Sequence, residues 1–107
     1  MTLIIVLMTA SSKKEAENIS HKLLEEGLIA CANIVDGVSS LFWWKQKIEH
    51  ENETLVIMKS SEKLFKEITQ RIEELHSYEV PEVLALPIVA GSQRYLDWMK
   101  SNLEKVK

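Results

Sequence analysis

Hydrophobic positions in the first quarter of the chain form one continuous run and then one helical stripe. Leu3 to Met8 is an apolar run rich in β-branched residues, which is typical of a strand buried on both faces. Ser12-Lys13-Lys14-Glu15 then matches a capping box that opens a helix, and Gly27 is suited to end it. The apolar stripe of this predicted helix consists of Ala16, Ile19, Leu23 and Leu24.

The middle of the chain predicts a long β-hairpin. A strand-forming run extends from Ile29 to Trp44, interrupted only at Asp36-Gly37. We expect a bulge or kink there, because β-forming residues resume at once. A turn at Lys45-Gln46 leads into a second run, from Lys47 to Lys59, whose glutamates alternate with other residues before the segment becomes wholly apolar.

The last part predicts a helix, a loop, a strand and a final helix. Ser60-Ser61 is expected to cap the second helix, whose apolar face is Leu64, Phe65, Ile68, Ile72 and Leu75. A loop from His76 to Glu82 precedes a strand from Val83 to Val89, in which Pro87 indicates an edge or a bulge. The final helix is predicted to start at Gly91-Ser92, with its apolar face formed by Tyr95, Leu96, Met99 and Leu103.

The predicted element order is β-α-β-β-α-β with a C-terminal helix, over a single domain of residues 1–107. Two right-handed crossovers joined by a hairpin give an α+β, ferredoxin-like sandwich, in which both long helices lie on one face of an antiparallel sheet. The strands are apolar on both faces, so the second face needs cover. The final helix can cover only part of it, and we expect self-association to cover the rest.

Composition narrows the possible functions. With 107 residues, a net charge of −3 and 27% charged residues, the chain lacks the basic excess of nucleic-acid-binding proteins. Cys31 is the only cysteine, so an intrachain disulfide is excluded. The N-terminal apolar run is too short for a signal or membrane helix, which predicts a cytoplasmic protein without membrane contact. The chain contains no GxSxG, P-loop or GxGxxG motif, and we do not expect an enzyme.

Several polar residues are candidates for a site. His76 follows the second helix, where it could favour the helix end or act as a pocket ligand, and both interpretations stay open. Lys59 ends the most apolar strand, so its charge needs a partner or an exit to water. Cys31 lies among apolar residues, which favours a small hydrophobe over a soft-metal ligand. The remaining candidates are expected to be solvated, namely His21, His50 and the row Glu49, Glu51 and Glu53.

The adjacent pair Trp43 and Trp44 points to an interface. Neighbouring residues on a strand face opposite sides of the sheet, so the two indoles cannot both enter one core. Aromatic side chains of this size are costly to expose to water. We therefore expect at least one of them to be buried against another copy of the chain.

Taken together, the motifs resemble those of the CutA divalent-cation tolerance family over nearly the whole chain. The residues that carry the resemblance are Ala30-Cys31-Ala32-Asn33-Ile34, Trp43-Trp44-x-x-Lys47-Ile48-Glu49, Lys59, His76-x-Tyr78-Glu79-Val80-Pro81-Glu82 and Tyr95-Leu96-x-Trp98. The resemblance implies a ferredoxin-like subunit in a tight homotrimer akin to the PII signalling proteins. It also implies a role in tolerance of copper and other divalent metals, with no established enzyme activity.

The same resemblance implies a ligand-binding cleft between subunits. Its metal ligands would be His76 and Met8, and copper or zinc is the candidate metal, with none required for folding. The alternative is a structural or signalling trimer that binds a protein or small-molecule partner, with metal binding incidental. Three positions depart from the family pattern, because Met8, Gln46 and Ser77 replace a Cys, a Gly and a Pro. The cleft would be lined by Lys47, Glu49, Lys59, His76, Tyr78 and Glu82.

Overall fold

The computed structural model describes residues 1–104 and has the predicted α+β, ferredoxin-like architecture. A four-stranded antiparallel sheet carries the long helices. The elements are, in chain order, β1 (Leu3–Ala10), α1 (Lys13–Glu25), β2 (Cys31–Trp44), β3 (Lys47–Ser61), a 3-10 turn (Glu62–Leu64), α2 (Phe65–Leu75), β4 (Val83–Pro87) and α3 (Gln93–Glu104).

The strands are ordered β2-β3-β1-β4, so β1 lies between β3 and β4. Val6 pairs with Met58 on one side and with Ala85 on the other. Alternate residues of β1 and β3 are fully buried, as the two-residue period of a strand requires. These residues and the apolar stripes of the helices form one core cluster, which includes Val6, Met8, Val56, Met58, Ile19, Leu23, Ile68 and Ile72.

Helix α1 begins and ends as predicted, with two differences. The Ser12 hydroxyl accepts the N–H of Glu15 at 3.1 Å, and Gly27 adopts φ +72° beyond the last turn. The Glu15 carboxylate, however, accepts from Ser11 rather than returning to Ser12, because it also serves a more distant loop. Leu24 is exposed and does not belong to the buried stripe.

The predicted cap of the second helix is wrong. Ser60 and Ser61 are the last residues of β3, where the ladder continues until Leu3 pairs with Ser61. Ser61 forms no side-chain capping hydrogen bond, and the 3-10 turn intervenes before α2. The Ser60 hydroxyl instead donates to the Leu28 carbonyl at 2.6 Å. Strand pairing has displaced the helix start by several residues.

The central hairpin has the predicted bulge and a tight turn. The register of β2 against β3 shifts between Val35 and Val38, so that two residues oppose one. Lys45 and Gln46 both have positive φ, 50° and 67°, as the two central residues of a type I′ turn do.

At the other edge, β4 ends at Pro87, two residues earlier than predicted, and its edge position is confirmed. The hydroxyl of Ser92 accepts the N–H of Tyr95 at 3.3 Å, which places the start of α3 at Gln93. Within residues 1–104, no helix combines the length and apolar character needed to cross a membrane.

Candidate functional site

The outer half of the hairpin exposes large apolar side chains on both faces. Leu41, Trp43 and Ile48 share one face, where they are 75%, 72% and 66% exposed. Trp44 shares the other face with Phe42, and both are more than a third exposed. Neither Trp belongs to the core cluster of its own chain. We call residues 41–48 the hairpin tip.

A second apolar surface lies on the side of the sheet opposite the buried core residues. Its members alternate with the core residues along each strand, and cross-strand pairing places them side by side. They are half-buried or exposed, and we call this surface the open sheet face. It is formed by Val35, Leu55, Ile57, Ile5, Leu7, Leu84 and Leu86.

His76 closes the end of α2 with a fully buried side chain. Its Nε2 donates to the Thr9 carbonyl oxygen at 2.7 Å, and its Nδ1 accepts the N–H of Tyr78 at 3.0 Å. These partners define a neutral ring with the proton on Nε2. Both ring nitrogens are therefore occupied within the chain, and coordination of a metal would require one of these hydrogen bonds to break.

Glu15 ties the start of α1 to the loop that follows α2. One carboxylate oxygen accepts from the N–H and the hydroxyl of Ser11, and the other accepts the N–H of Ser77 at 2.8 Å. The second oxygen also lies 3.8 Å from Nδ1 of His76. Partial burial alone would raise the pKa of Glu15, but the hydrogen bonds from Ser11 and Ser77 outweigh it and lower that pKa to about 2.

Tyr78 and Glu53 form a contact that the sequence pattern did not predict. The Tyr78 hydroxyl donates to Glu53 Oε2 at 2.6 Å. Burial, followed by the neighbouring Glu53 carboxylate, raises the pKa of Tyr78 well above its usual value. Glu53 was expected to be solvated, and this is wrong because the side chain is buried beneath the loop. Glutamates that alternate along a strand are typical of a solvent-exposed face, so this pattern alone could not predict the contact between Glu53 and Tyr78.

The other residues of that row follow the prediction more closely. Glu51 is exposed and Glu49 is half-buried. His50 is exposed, although its Nε2 lies 2.7 Å from the Ser39 hydroxyl across the hairpin. His21 is exposed on α1, as expected.

Lys59 finds its partners on β2. Its ammonium donates to Asn33 Oδ1 and contacts Cys31 Sγ at 3.8 Å. Of the two outcomes left open for this charge, a partner or an exit to water, the structure shows partners, and neither of them is a carboxylate. Tyr95 of α3 reaches the same thiol, and burial together with Cys31 raises the pKa of its hydroxyl.

The six residues of the implied cleft do not converge within one chain. The His76 and Tyr78 rings are neighbours, with centroids 4.6 Å apart. Lys47 and Lys59 lie at opposite ends of β3, about 40 Å apart at the rise of a strand. Glu82 is exposed on the loop and Glu49 lies near the tip. A single subunit therefore brings together only the His76 and Tyr78 part of the set.

Met8 does not reach any surface. Its side chain is fully buried in the core cluster, and its backbone pairs with Val56 and Val83. The implied role of Met8 as a metal ligand is therefore not available in this subunit. Across residues 1–104, no three His, Cys, Asp or Glu side chains are grouped so that they could hold a metal ion.

One open groove lies away from the predicted site. It has a volume of about 620 Å³ and runs along α1 to the end of α2. Of its lining, only Glu15 takes part in the network around His76. The lining residues are Ser12, Lys14, Glu15, Asn18, Ile19, His21, Lys22, Glu25 and Leu75.

Comparison of the sequence with known proteins points to one family. The family model described as CutA1 divalent ion tolerance protein matches residues 4–102. The divalent-cation tolerance protein CutA of Thermus thermophilus is 40% identical over 98 residues, which cover 92% of this chain and 95% of the relative. The chloroplastic protein CutA 1 of Oryza sativa is 38% identical over 92% of this chain. The match spans 56% of that relative, so this chain corresponds to just over half of its length.

Comparison of the fold agrees with this result. The crystal structure of CutA1 from Oryza sativa superposes with a TM-score of 0.92 at 37% identity, covering 95% of this chain and 94% of that chain. The divalent cation tolerance protein from Thermus thermophilus superposes with a TM-score of 0.91 at 39% identity, covering 94% and 97%. The chain therefore belongs to the CutA1 divalent ion tolerance family.

Proposed function

We propose that the chain forms a homotrimer that responds to divalent metal ions, copper among them, and binds a metal or small ligand in clefts between subunits. The observation that carries this proposal is the hairpin tip, which exposes Leu41, Trp43 and Ile48 on one face and Trp44 on the other. Contiguous apolar patches of this kind usually mark an interaction surface. The name of the family refers to tolerance of divalent ions, which supports the link to metals.

Two different apolar surfaces favour a closed ring over a symmetric dimer. If the hairpin tip of one subunit packs on the open sheet face of the next, the contact is heterologous, and such contacts form a ring when the rotation between subunits closes. The trimer itself is what the resemblance to the family implies. This arrangement would cover the apolar face of the sheet that α1 and α2 leave open.

The same arrangement would complete the cleft. Lys47 and Glu49 lie at the outer end of the hairpin, whereas His76, Tyr78 and Glu82 belong to the loop after α2. These two groups are separated within one chain, so residues from two subunits are needed to bring them together. A metal at His76 would first have to displace the N–H of Tyr78 from Nδ1.

Two measurements test the proposal. Light scattering at micromolar concentration should give three times the mass of the 12.3 kDa chain. Calorimetric titration with Cu(II) and Zn(II) should show a stoichiometric site that weakens in Glu82→Gln and His76→Gln. The control, Glu25→Gln, changes an exposed carboxylate on α1 and should bind as the wild type does. A monomer would contradict the assembly, and unchanged affinity in both cleft variants would contradict the metal site.

A second candidate is a structural or signalling trimer that binds a protein or small-molecule partner, with metal binding incidental. The observation that favours it is the occupation of both His76 nitrogens by partners in the chain. In that case the mass would still be that of a trimer, whereas the metal titrations would show only weak, non-stoichiometric binding. Catalysis has no part in either candidate.

A further inference from the structure

Lys59 lies on the open sheet face, flanked by Cys31 of β2 and Ile5 of β1. Its ammonium donates to Oδ1 of Asn33 and contacts Sγ of Cys31 at 3.8 Å. Helix α3 adds Tyr95, and burial together with the same thiol raises the pKa of its hydroxyl. Four polar groups from three elements thus lie close together at one end of this face.

This cluster contains a cation and no anion. The ion pairs found within residues 1–104 join Arg71 with Glu26 and Glu74, and His76 with Glu15, so none of them includes Lys59. The acceptors around the ammonium are an amide oxygen and a cysteine sulfur, and neither is a carboxylate. A partly buried ammonium is costly unless an anion compensates it. The cluster is therefore electrostatically incomplete.

The donors define the class of anion that would complete it. The Lys59 ammonium carries three protons, the Asn33 amide nitrogen two, and the Tyr95 hydroxyl and Cys31 thiol one each. Donors of this kind bind oxyanions, and a charge-assisted bond from an ammonium to a carboxylate is among the stronger hydrogen bonds. A single positive charge balances a monovalent carboxylate, whereas a phosphate dianion would remain in excess.

We propose that Lys59, Asn33, Cys31 and Tyr95 form a binding site for the carboxylate group of a small organic acid. This inference rests on the proposed function only in that Lys59 is one of the residues assigned to the cleft. It requires no bound metal.

Cys31 provides a direct test, because it is the only cysteine of the chain. Iodoacetate and iodoacetamide both alkylate a thiolate, which attacks the methylene carbon and expels iodide, and they differ mainly in the carboxylate. The ratio of their rates is therefore independent of how much thiolate is present. If Lys59 binds the carboxylate, the ratio of the iodoacetate rate to the iodoacetamide rate should exceed that of N-acetylcysteine by about tenfold, as a charge-assisted hydrogen bond allows.

Three further observations should accompany this preference. The iodoacetate rate should saturate, and acetate should slow it at constant ionic strength while chloride does not. Lys59→Met should reduce the ratio to that of N-acetylcysteine, and Lys59→Arg should keep most of it. Lys66→Met, which removes an exposed lysine of α2, should leave it unchanged. If Lys59→Met does not fold, the Lys59→Arg result and the acetate competition in the wild type decide.

Other outcomes would overturn the proposal. A wild-type ratio equal to that of N-acetylcysteine would show that no carboxylate binds beside Cys31. A thiol that reacts with neither reagent would show that the face is closed to small acids, and loss of the trimer mass in Lys59→Met with no acetate effect would assign the position to a carboxylate of a partner subunit. Trimer mass and metal affinity are measured separately, so failure here leaves the proposed function untouched, and the reverse also holds.

Discussion

The Tyr78 hydroxyl donates a 2.6 Å hydrogen bond to the Glu53 carboxylate, joining the loop after α2 to the middle of β3. Glu53 is buried, so this bond satisfies a charged group that water cannot reach freely. The Glu15 carboxylate also accepts the N–H of Ser77, and the backbone carbonyl oxygen of Thr9 accepts from His76. Two side chains and one backbone carbonyl, from three other segments, therefore fix the position of the loop.

Removal of the Tyr78 hydroxyl should destabilise the subunit. Tyr78→Phe leaves a buried carboxylate without its donor, and we expect a loss of about 1–3 kcal/mol in the free energy of unfolding. Urea denaturation measures this loss. Glu51→Gln, a change at an exposed neighbour on β3, is the control and should have little effect. Equal stabilities of Tyr78→Phe and the wild type would show that water replaces the hydroxyl without cost.

Glu15 should make the protein sensitive to acid. Its pKa is about 2 in the folded chain against a reference value of 4.5, so its contribution to stability is complete above about pH 4.5. As the pH falls from there toward 2, the unfolded chain takes up the proton first, and the contribution is lost. Glu15→Gln should remove this part of the pH dependence, as measured by thermal melting between pH 2 and pH 7. Glu17→Gln, on the exposed side of α1, should retain it.

Trp43 should matter for assembly more than for folding of the subunit. It is 72% exposed in the single chain, so Trp43→Ala removes few contacts within its own subunit. At an interface, truncation of a buried aromatic commonly costs 2 kcal/mol or more, or about thirtyfold in the dissociation constant. Analytical ultracentrifugation of Trp43→Ala should detect dissociation at a concentration where Leu24→Ala, an exposed apolar change on α1, remains assembled. Unaltered assembly of Trp43→Ala would place the interface elsewhere.

The hairpin turn should tolerate glycine better than glutamine. Gln46 has φ +67°, a conformation that costs an L-residue with a side chain roughly 1 kcal/mol. Glycine avoids this cost, but its greater freedom in the unfolded chain offsets part of the stabilisation. Gln46→Gly should therefore stabilise the protein by about 0.5 kcal/mol in urea denaturation. Gln70→Gly, in the interior of α2, should instead destabilise it by about 1 kcal/mol.

His76 should contribute to folding. From the sequence it could stabilise the end of α2 or act as a pocket ligand, and as a pocket ligand alone its replacement by alanine would change the melting temperature little. The side chain is fully buried and bonded through both nitrogens, so His76→Ala should cost about 1–3 kcal/mol. Chemical denaturation of His76→Ala, compared with His21→Ala on the exposed face of α1, measures the difference. A melting temperature that does not change would favour the interpretation of His76 as a pocket ligand.

Local patterns were enough to predict the architecture, because each element carried its own period and its own boundary residues. The bulge at Asp36-Gly37 and the end of α1 at Gly27 follow from glycine and turn chemistry within a few positions. The site depended on pairs distant in sequence, such as Tyr78 with Glu53 and His76 with Thr9, which no local pattern contains. The burial of Met8 agrees with the apolar run from Leu3 to Met8, whereas its side of the sheet follows from the pairing of three strands.

The bulge at Asp36-Gly37 determines the direction of the outer part of the hairpin. Gly37 adopts φ +74°, and the Asp36 carboxylate holds the bend by accepting from Thr54 and from the N–H of Gly37. Seven residues of β2, Val38 to Trp44, extend beyond it, a length of about 23 Å at the rise of a strand. A change of about 10° at the bulge therefore swings the far end by about 4 Å, roughly the width of one strand spacing. The position of the exposed indole of Trp43 is thus set at the bulge, several residues away along the chain.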